Sequence, residues 1–497
     1  MLYSVGFLTF VAVLFIIYYS LAKRRQWVVL LLGSYLFYAF MGRACIVFIL
    51  GATVLTFFVA RKLEALRIQK EGDRKARKRA RKLLVAAVVV ILAGILAVFK
   101  FQPAVERFSL ILPIGISYYS FQVIGYIIDI YRGAYPAEQS IFRYALFVGY
   151  FPGMIQGPIN RYDKMQEQFM QEHTLSWEVF RNGVWLFLWG LFKKLVIADR
   201  CAIYVNHVMG DAFGKSSGSL LLMGVILFVL QMYGDFSGGI DMAEGISEMF
   251  GIRMYQNFRQ PFFSQSIGEF WRRWHISLGN WIRDYVFYPL AFSKTYRKLS
   301  KWIGRWNAHL ADSIPSMLVS VITFVIIGLW HAISPAYLIY GLWYGVMVGM
   351  QKLIAPAFQY LTVRTGVRTE CVSYRMFRRM RTWLIVLIGE SFCILPCAGA
   401  FVQLIRAIFT DFRYYELFYD FFEQGLTRLD FLIVAVSVLI WWAVSFLKEQ
   451  GHHMREEIAA QNLWCRLLLT AGIITVIAIF GIYGPGYDAA AFIYGGI

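Results

Sequence analysis

The sequence is poor in charge and poor in cysteine. Only 16% of its 497 residues are charged, against 59% hydrophobic, where soluble domains carry about 25% charged and 45–50% apolar residues. That balance excludes an ordinary cytosolic enzyme and a disordered scaffold. Six cysteines are too few and too scattered for a disulfide framework. Cys393 and Cys397 can share one helix face, but no second Cys or His pair lies near them, so they read as small core residues and no metal site is expected. The fully spaced Gly-x-x-x-x-Gly-Lys-Ser/Thr loop that cradles ATP phosphates is absent, as is His-Glu-x-x-His. No Gly-x-Ser-x-Gly elbow comes with a plausible triad.

What is present is long apolar runs. At ~20 residues per span they supply about a dozen membrane helices, and an 18% aromatic share provides the tyrosine and tryptophan that suit membrane–water interfaces. Spans are expected near 2–21, 27–41, 44–60, 83–100, 108–130, 180–199, 218–235, 314–332, 335–353, 382–408, 429–447 and 465–484. The regions 141–160 and 236–292 are apolar but broken by Gly, Pro and charge, and read as re-entrant or interfacial pieces. The first apolar stretch is followed, not preceded, by Lys23, Arg24 and Arg25, which reads as a retained span with its N-terminus outside.

The net charge of +19 does not form a nucleic-acid footprint, because it lies in short runs between apolar stretches with no recognised binding motif. Its placement follows the positive-inside rule. The loop expected between Ala60 and Leu83 holds eleven Lys and Arg residues and is assigned to the cytoplasm. Topology and lipid attraction account for it; holding an anionic cosubstrate is the other reading. A second basic loop, around Arg364 to Arg381, and a third, with Lys448, Arg455 and Arg466, fall on the same side. That alternation puts the tail 486–497 outside the cytoplasm.

Of seven histidines, two follow a tryptophan. His331 ends the apolar run Leu318–Trp330. An ionisable residue at membrane depth is costly and is a functional hypothesis by default, and burial favours a neutral ring able to accept a proton; a core histidine that only packs helices is the alternative. His275 lies among Arg272, Arg273, Trp274, Arg283 and Asp284. The arginines suit either phosphate or lipid headgroups. Trp271, Trp274, Leu278 and Trp281 recur at helical spacing and form an aromatic face. Asp235, in Tyr233-Gly-Asp-Phe-Ser-Gly-Gly, closes an apolar run, and either it and Asp241 orient a histidine or arginine or they pair structurally. Phe151–Tyr162, rich in Pro and Gly, reads as a scaffold loop.

Taken in order, Ile114–Gln122, Tyr126–Gly133, Gly157–Ile159, Asp235–Gly238, Asp241–Ala243, Phe270–Tyr288 and Gly328–His331 resemble the membrane-bound O-acyltransferase (MBOAT) family. They are most similar to its bacterial polysaccharide acetyltransferases, such as the membrane subunit that serves alginate. The resemblance covers most of the chain as a single membrane domain. It implies an all-α, polytopic bundle around a central funnel or tunnel, in a bacterial inner membrane. It implies catalytic roles for His331 and His275, acetyl-CoA as donor with no permanently bound cofactor, and a separate extracytoplasmic acetyltransferase partner acting on a cell-surface polysaccharide. Ala332 stands where the family usually has Gly. The tail Phe492-x-Tyr494-x-x-Ile497 matches, except at its last aromatic position, one in which a tyrosine is proposed to relay the acyl group. Under this resemblance His331 is the general base on a hydroxyl that belongs either to Tyr494, as relay, or to the final acceptor, and His275 orients the thioester or stabilises the oxyanion; Arg272, Arg273, Trp274 and Arg283 are the candidates to hold the donor. D-alanyl transfer to teichoic acid, a transporter and a non-catalytic scaffold are the rivals.

Overall fold

A computed structural model describes residues 2–20, 23–107, 113–395, 397 and 399–483. Among these residues the regular secondary structure is all helical, with no strand. Seven helices are long and apolar enough to cross a membrane, and Val5–Ser20, Gln26–Met41 and Ala400–Thr410 are shorter apolar ones. The tail with Tyr494 lies outside the described residues.

The chain divides into two compact units. The first comprises residues up to Leu191 together with Gly238–Gln256. It contains α1 (Val5–Ser20), α2 (Gln26–Met41), α3 (Arg43–Ile68), α4 (Arg74–Lys100), α5 (Ile116–Arg132) and α6 (Trp177–Leu191). Within it α5 is the most enclosed, with Tyr118, Tyr119 and Tyr126 buried. By contrast only 17% of the most apolar window of α4 is buried, so this helix presents its side chains to the surrounding medium. Gly183 and Gly190 of α6 lie against the backbone at Gly245 and Gly238, where an added Cβ would come within 2.6 and 2.5 Å of a carbonyl oxygen. Such small-residue crossings let membrane helices pack by close van der Waals contact.

The expected basic loop at 60–83 is mostly helix. α3 runs on to Ile68 and α4 starts at Arg74, leaving a five-residue turn closed by Gly72 at φ +83° and by Asp73, whose carboxylate accepts from the Lys75 amide. Lys and Arg are good helix formers, so the segment is exposed without a break in its helices.

The second unit comprises Phe192–Ser237 and the chain from Asn257 onward. A buried π-helical turn, Phe192–Ala198, precedes α7 (Gly218–Met249). The short helices α8 (Ile267–Arg273) and α9 (Ile276–Ile282) follow, then α10 (Ala308–His331), α11 (Pro335–Arg364), α12 (Val372–Ile394), α13 (Arg428–Glu449) and α14 (Leu463–Phe480). α10 and α11 form a tight hairpin. A Cβ on Gly328 would come within 2.2 Å of the Tyr337 carbonyl oxygen, and one on Gly341 within 2.5 Å of that of Phe324.

Two further expectations change. The span expected near 218–235 is longer: α7 continues to Met249, and Gly234 leaves space for the backbone of Lys193 and the methyl of Ala198 rather than ending the helix. The span expected at 382–408 is not continuous. α12 begins at Val372, taking in Arg375–Arg381, and ends at Ile394, and a separate helix runs over Ala400–Thr410.

Candidate active site

The Trp-His segment is bent back on itself by one asparagine. α8 starts at Ser266, whose hydroxyl accepts from the Glu269 amide, and stops at Trp274. His275 then takes a left-handed conformation at φ +43°, an uncommon state for a residue with a Cβ. Asn257 holds the bend. Its carbonyl oxygen accepts from the Ile276 amide at 2.9 Å, and its side-chain Oδ1 accepts from the Ser277 amide at 3.0 Å and the Ser277 hydroxyl at 2.7 Å.

That geometry fixes the proton on His275. An amide N–H can only donate, so the Asn257 atom facing Ser277 is the oxygen. His275 Nδ1 lies 3.2 Å from the same oxygen and therefore carries the hydrogen and donates it. Nε2 is left with its lone pair and, among the described residues, has no hydrogen-bond partner although it is buried. The ring is 3% exposed, and burial lowers its pKa to about 3. His275 is thus a neutral acceptor, and an oxyanion donor at Nε2 would need the other tautomer.

His331 closes α10 and is 5% exposed. Its ring lies 5.7 Å from that of Tyr337, nearly parallel, and edge-on to Tyr340 at 5.9 Å. The Trp330 indole is 4.7 Å from the His331 ring and 6.0 Å from the His275 ring. The two histidines, 56 residues apart in sequence, therefore flank one indole. Phe236 covers His275 from another side, edge-on at 4.9 Å.

The other predicted residues separate. Arg273 forms a two-pronged pair with Glu449 at 2.6 and 2.9 Å and also reaches Glu269 at 2.7 Å, so its charge is spent within the protein. Arg272 is exposed; Arg283 is half exposed and pairs with Asp284 at 3.1 Å. Trp274 is buried in an aromatic cluster, stacked on Phe270 at 5.4 Å and against Phe258 at 5.1 Å. Asp235 takes the structural alternative and binds the buried ammonium of Lys194, which also holds Asp199 at 2.8 Å. Lys193, also buried, donates to the Ser237 hydroxyl at 2.9 Å.

Sequence reasoning passed over Asn257, whose role depends on a fold-back that no local pattern announces. It also passed over Glu390, 1% exposed on α12. There the signal existed: one carboxylate in an apolar helix is expensive.

The residues 136–305, which include His275, match the family model described as MBOAT, membrane-bound O-acyltransferase family. A protein named "Probable alginate O-acetylase AlgI" from Pseudomonas syringae pv. tomato is 34% identical over 395 residues, covering 75% of this chain and 68% of the relative. The chain belongs to the membrane-bound O-acyltransferase family. It is a multi-pass membrane O-acyltransferase, as the Trp-His segments and apolar helices imply. The peptidoglycan O-acetyltransferase of Helicobacter pylori is 28% identical over 371 residues, 66% of this chain and 64% of the relative. The teichoic acid D-alanyltransferase of Bacillus subtilis is 31% identical over 254 residues, 50% of this chain and 60% of the relative. The acyl group thus differs among these relatives.

Proposed function

We propose that this acyltransferase, seated in the bacterial inner membrane, moves an acetyl group from cytosolic acetyl-CoA toward a cell-surface polysaccharide. The similarity to the alginate O-acetylase extends over more of the chain than that to the D-alanyltransferase, and this favours acetyl over D-alanyl. The reaction takes place in a passage sheltered from water, where the thioester escapes hydrolysis. The observation that carries the reading is the placement of two buried imidazoles on one indole.

In this scheme His331 is the general base. It removes the proton of an acceptor hydroxyl as that oxygen attacks the thioester carbonyl, and returns it to the departing thiolate, so that the free thiol of CoA is released. His275 is too weak a base for that step with its pKa near 3, because efficient bases titrate near the working pH. Its Nε2 lone pair instead accepts a hydrogen bond from an amide N–H of the donor's pantetheine arm and so orients the thioester. Arg272 and Arg283 supply cationic donors to the CoA phosphates. The acceptor is Tyr494, which passes the acetyl group to a separate extracytoplasmic transferase that completes the ester on the sugar.

Purified protein incubated with labelled acetyl-CoA tests this. We expect label on Tyr494, none in Tyr494→Phe, and none in His331→Ala while that variant keeps its melting temperature. Labelling only from a D-alanyl carrier protein would transfer the assignment to D-alanylation. Full labelling in His331→Ala would remove that residue from the chemistry.

A further inference from the structure

Glu390 lies in the second unit with no part in the scheme above. It is 1% exposed, and among the described residues no cation pairs with it. Its carboxylate is met by hydroxyls from one face of α11. Tyr344 donates to Oε1 at 2.8 Å, and Tyr340, its ring 4.9 Å from that of Tyr344, also acts on the carboxylate. On its own helix the Cys393 thiol faces Oε2 at 3.9 Å. The neighbouring Gly389 makes the approach possible, since a Cβ there would come within 2.4 Å of the Tyr344 ring.

Tyr337, Tyr340 and Tyr344 follow i, i+3, i+7 spacing, which aligns them along one side of α11. Tyr337 and Tyr340 both flank the His331 ring, and the Tyr340 and Tyr344 rings are 4.9 Å apart. Tyr340 therefore touches the histidine at one end and the acid at the other. α8 brings Trp271 to 4.8 Å from Tyr344, and among the described residues the titratable groups seen along this line are the three tyrosines, Cys393, Glu390 and His331, with His275 beyond Trp330.

We propose that Glu390 is a positioning residue that acts on His331 through Tyr340: it fixes the tyrosine hydroxyls that set the imidazole's orientation and favours the protonated ring during acyl transfer. The proposal rests on His331 being the base. A carboxylate near a histidine stabilises the imidazolium, and its removal makes His331 a weaker base.

The test compares Glu390→Gln, Glu390→Asp, Tyr340→Phe, His331→Ala and the His331→Ala/Glu390→Gln double variant in detergent or liposomes, with labelled acetyl-CoA across pH. Glu390→Gln keeps an acceptor for the tyrosines and changes the charge. It should lower the maximal rate on the order of tenfold or more at unchanged KM for acetyl-CoA, and move the acid limb of the rate profile to lower pH. Tyr340→Phe should move the limb the same way, Glu390→Asp should recover part of the rate, and the double variant should be no worse than His331→Ala. A wild-type rate and limb in Glu390→Gln would overturn the role of Glu390 and leave His331 as base. Full activity in His331→Ala would overturn both. Should Glu390→Gln fail to fold, Tyr340→Phe decides: an unmoved limb there overturns the proposal.

Discussion

At the residue scale, the site depends on a single amide. Asn257 holds a left-handed histidine, orders Ser277 and selects the His275 tautomer, all with one carbonyl and one side-chain oxygen. Asn257→Ala should leave the Ser277 amide and the His275 Nδ1–H without an acceptor, costing about 1–3 kcal/mol for each buried unsatisfied group. A melting temperature lowered by several degrees, with transfer activity reduced at least tenfold, is the expected result. The pH dependence follows from His275 itself. Its pKa in the fold is about 3, below the ordinary ~6.5, so between those values the unfolded chain takes up a proton that the folded chain refuses. The contribution of the neutral ring is complete above pH 6.5 and is lost as pH falls toward 3, up to about 5 kcal/mol in all. Thermal unfolding in detergent from pH 7.5 to 4 should show this slope, and His275→Gln should flatten it. The two Trp-His pairs stood out in the sequence, His331 as an ionisable residue ending an apolar run and His275 among arginines and tryptophans. Asn257 did not, since it acts across a gap of eighteen residues on a backbone angle that sequence patterns do not encode.

At the scale of elements, the α10–α11 hairpin sets where His331 stands. The helix ends at the histidine, and three residues later Ser334 accepts from the Tyr337 amide to start the next. Gly328 permits the closeness, so Gly328→Ala should force the helices apart at the end that carries His331 and Tyr337. We expect a loss of about 2 kcal/mol or more, as overpacking typically costs 1–3 kcal/mol, read as a lower melting temperature with a disproportionate fall in activity. Hydropathy made α10, α11, α13 and α14 plain, because uninterrupted apolar runs have few other fates. It misjudged α7, where glycines serve close packing, and the basic stretches, where charge signalled exposure but not a turn. Arg273 illustrates the remaining gap: its neighbours in sequence suggested a phosphate, whereas Glu449, far along the chain, already occupies it.

At the scale of the whole molecule, charge and apolar surface give an orientation that can be checked. The turn between α3 and α4, with the first turns of α4 below it, carries most of the basic residues between Ala60 and Leu83, and the positive-inside rule assigns it to the cytoplasm. A cysteine introduced in place of the exposed Glu71 should react in intact cells with a membrane-permeant maleimide and not with an impermeant one. Labelling by the impermeant reagent would invert the assignment. Relatives named for acetyl transfer and for D-alanyl transfer both match this chain.

Trp330 also gives the protein a built-in optical gauge. An imidazolium quenches the emission of an indole beside it more strongly than a neutral ring does. The difference in fluorescence between the wild type and Trp330→Phe should therefore dim whenever one of its two flanking rings gains a proton, reporting turnover without any added dye.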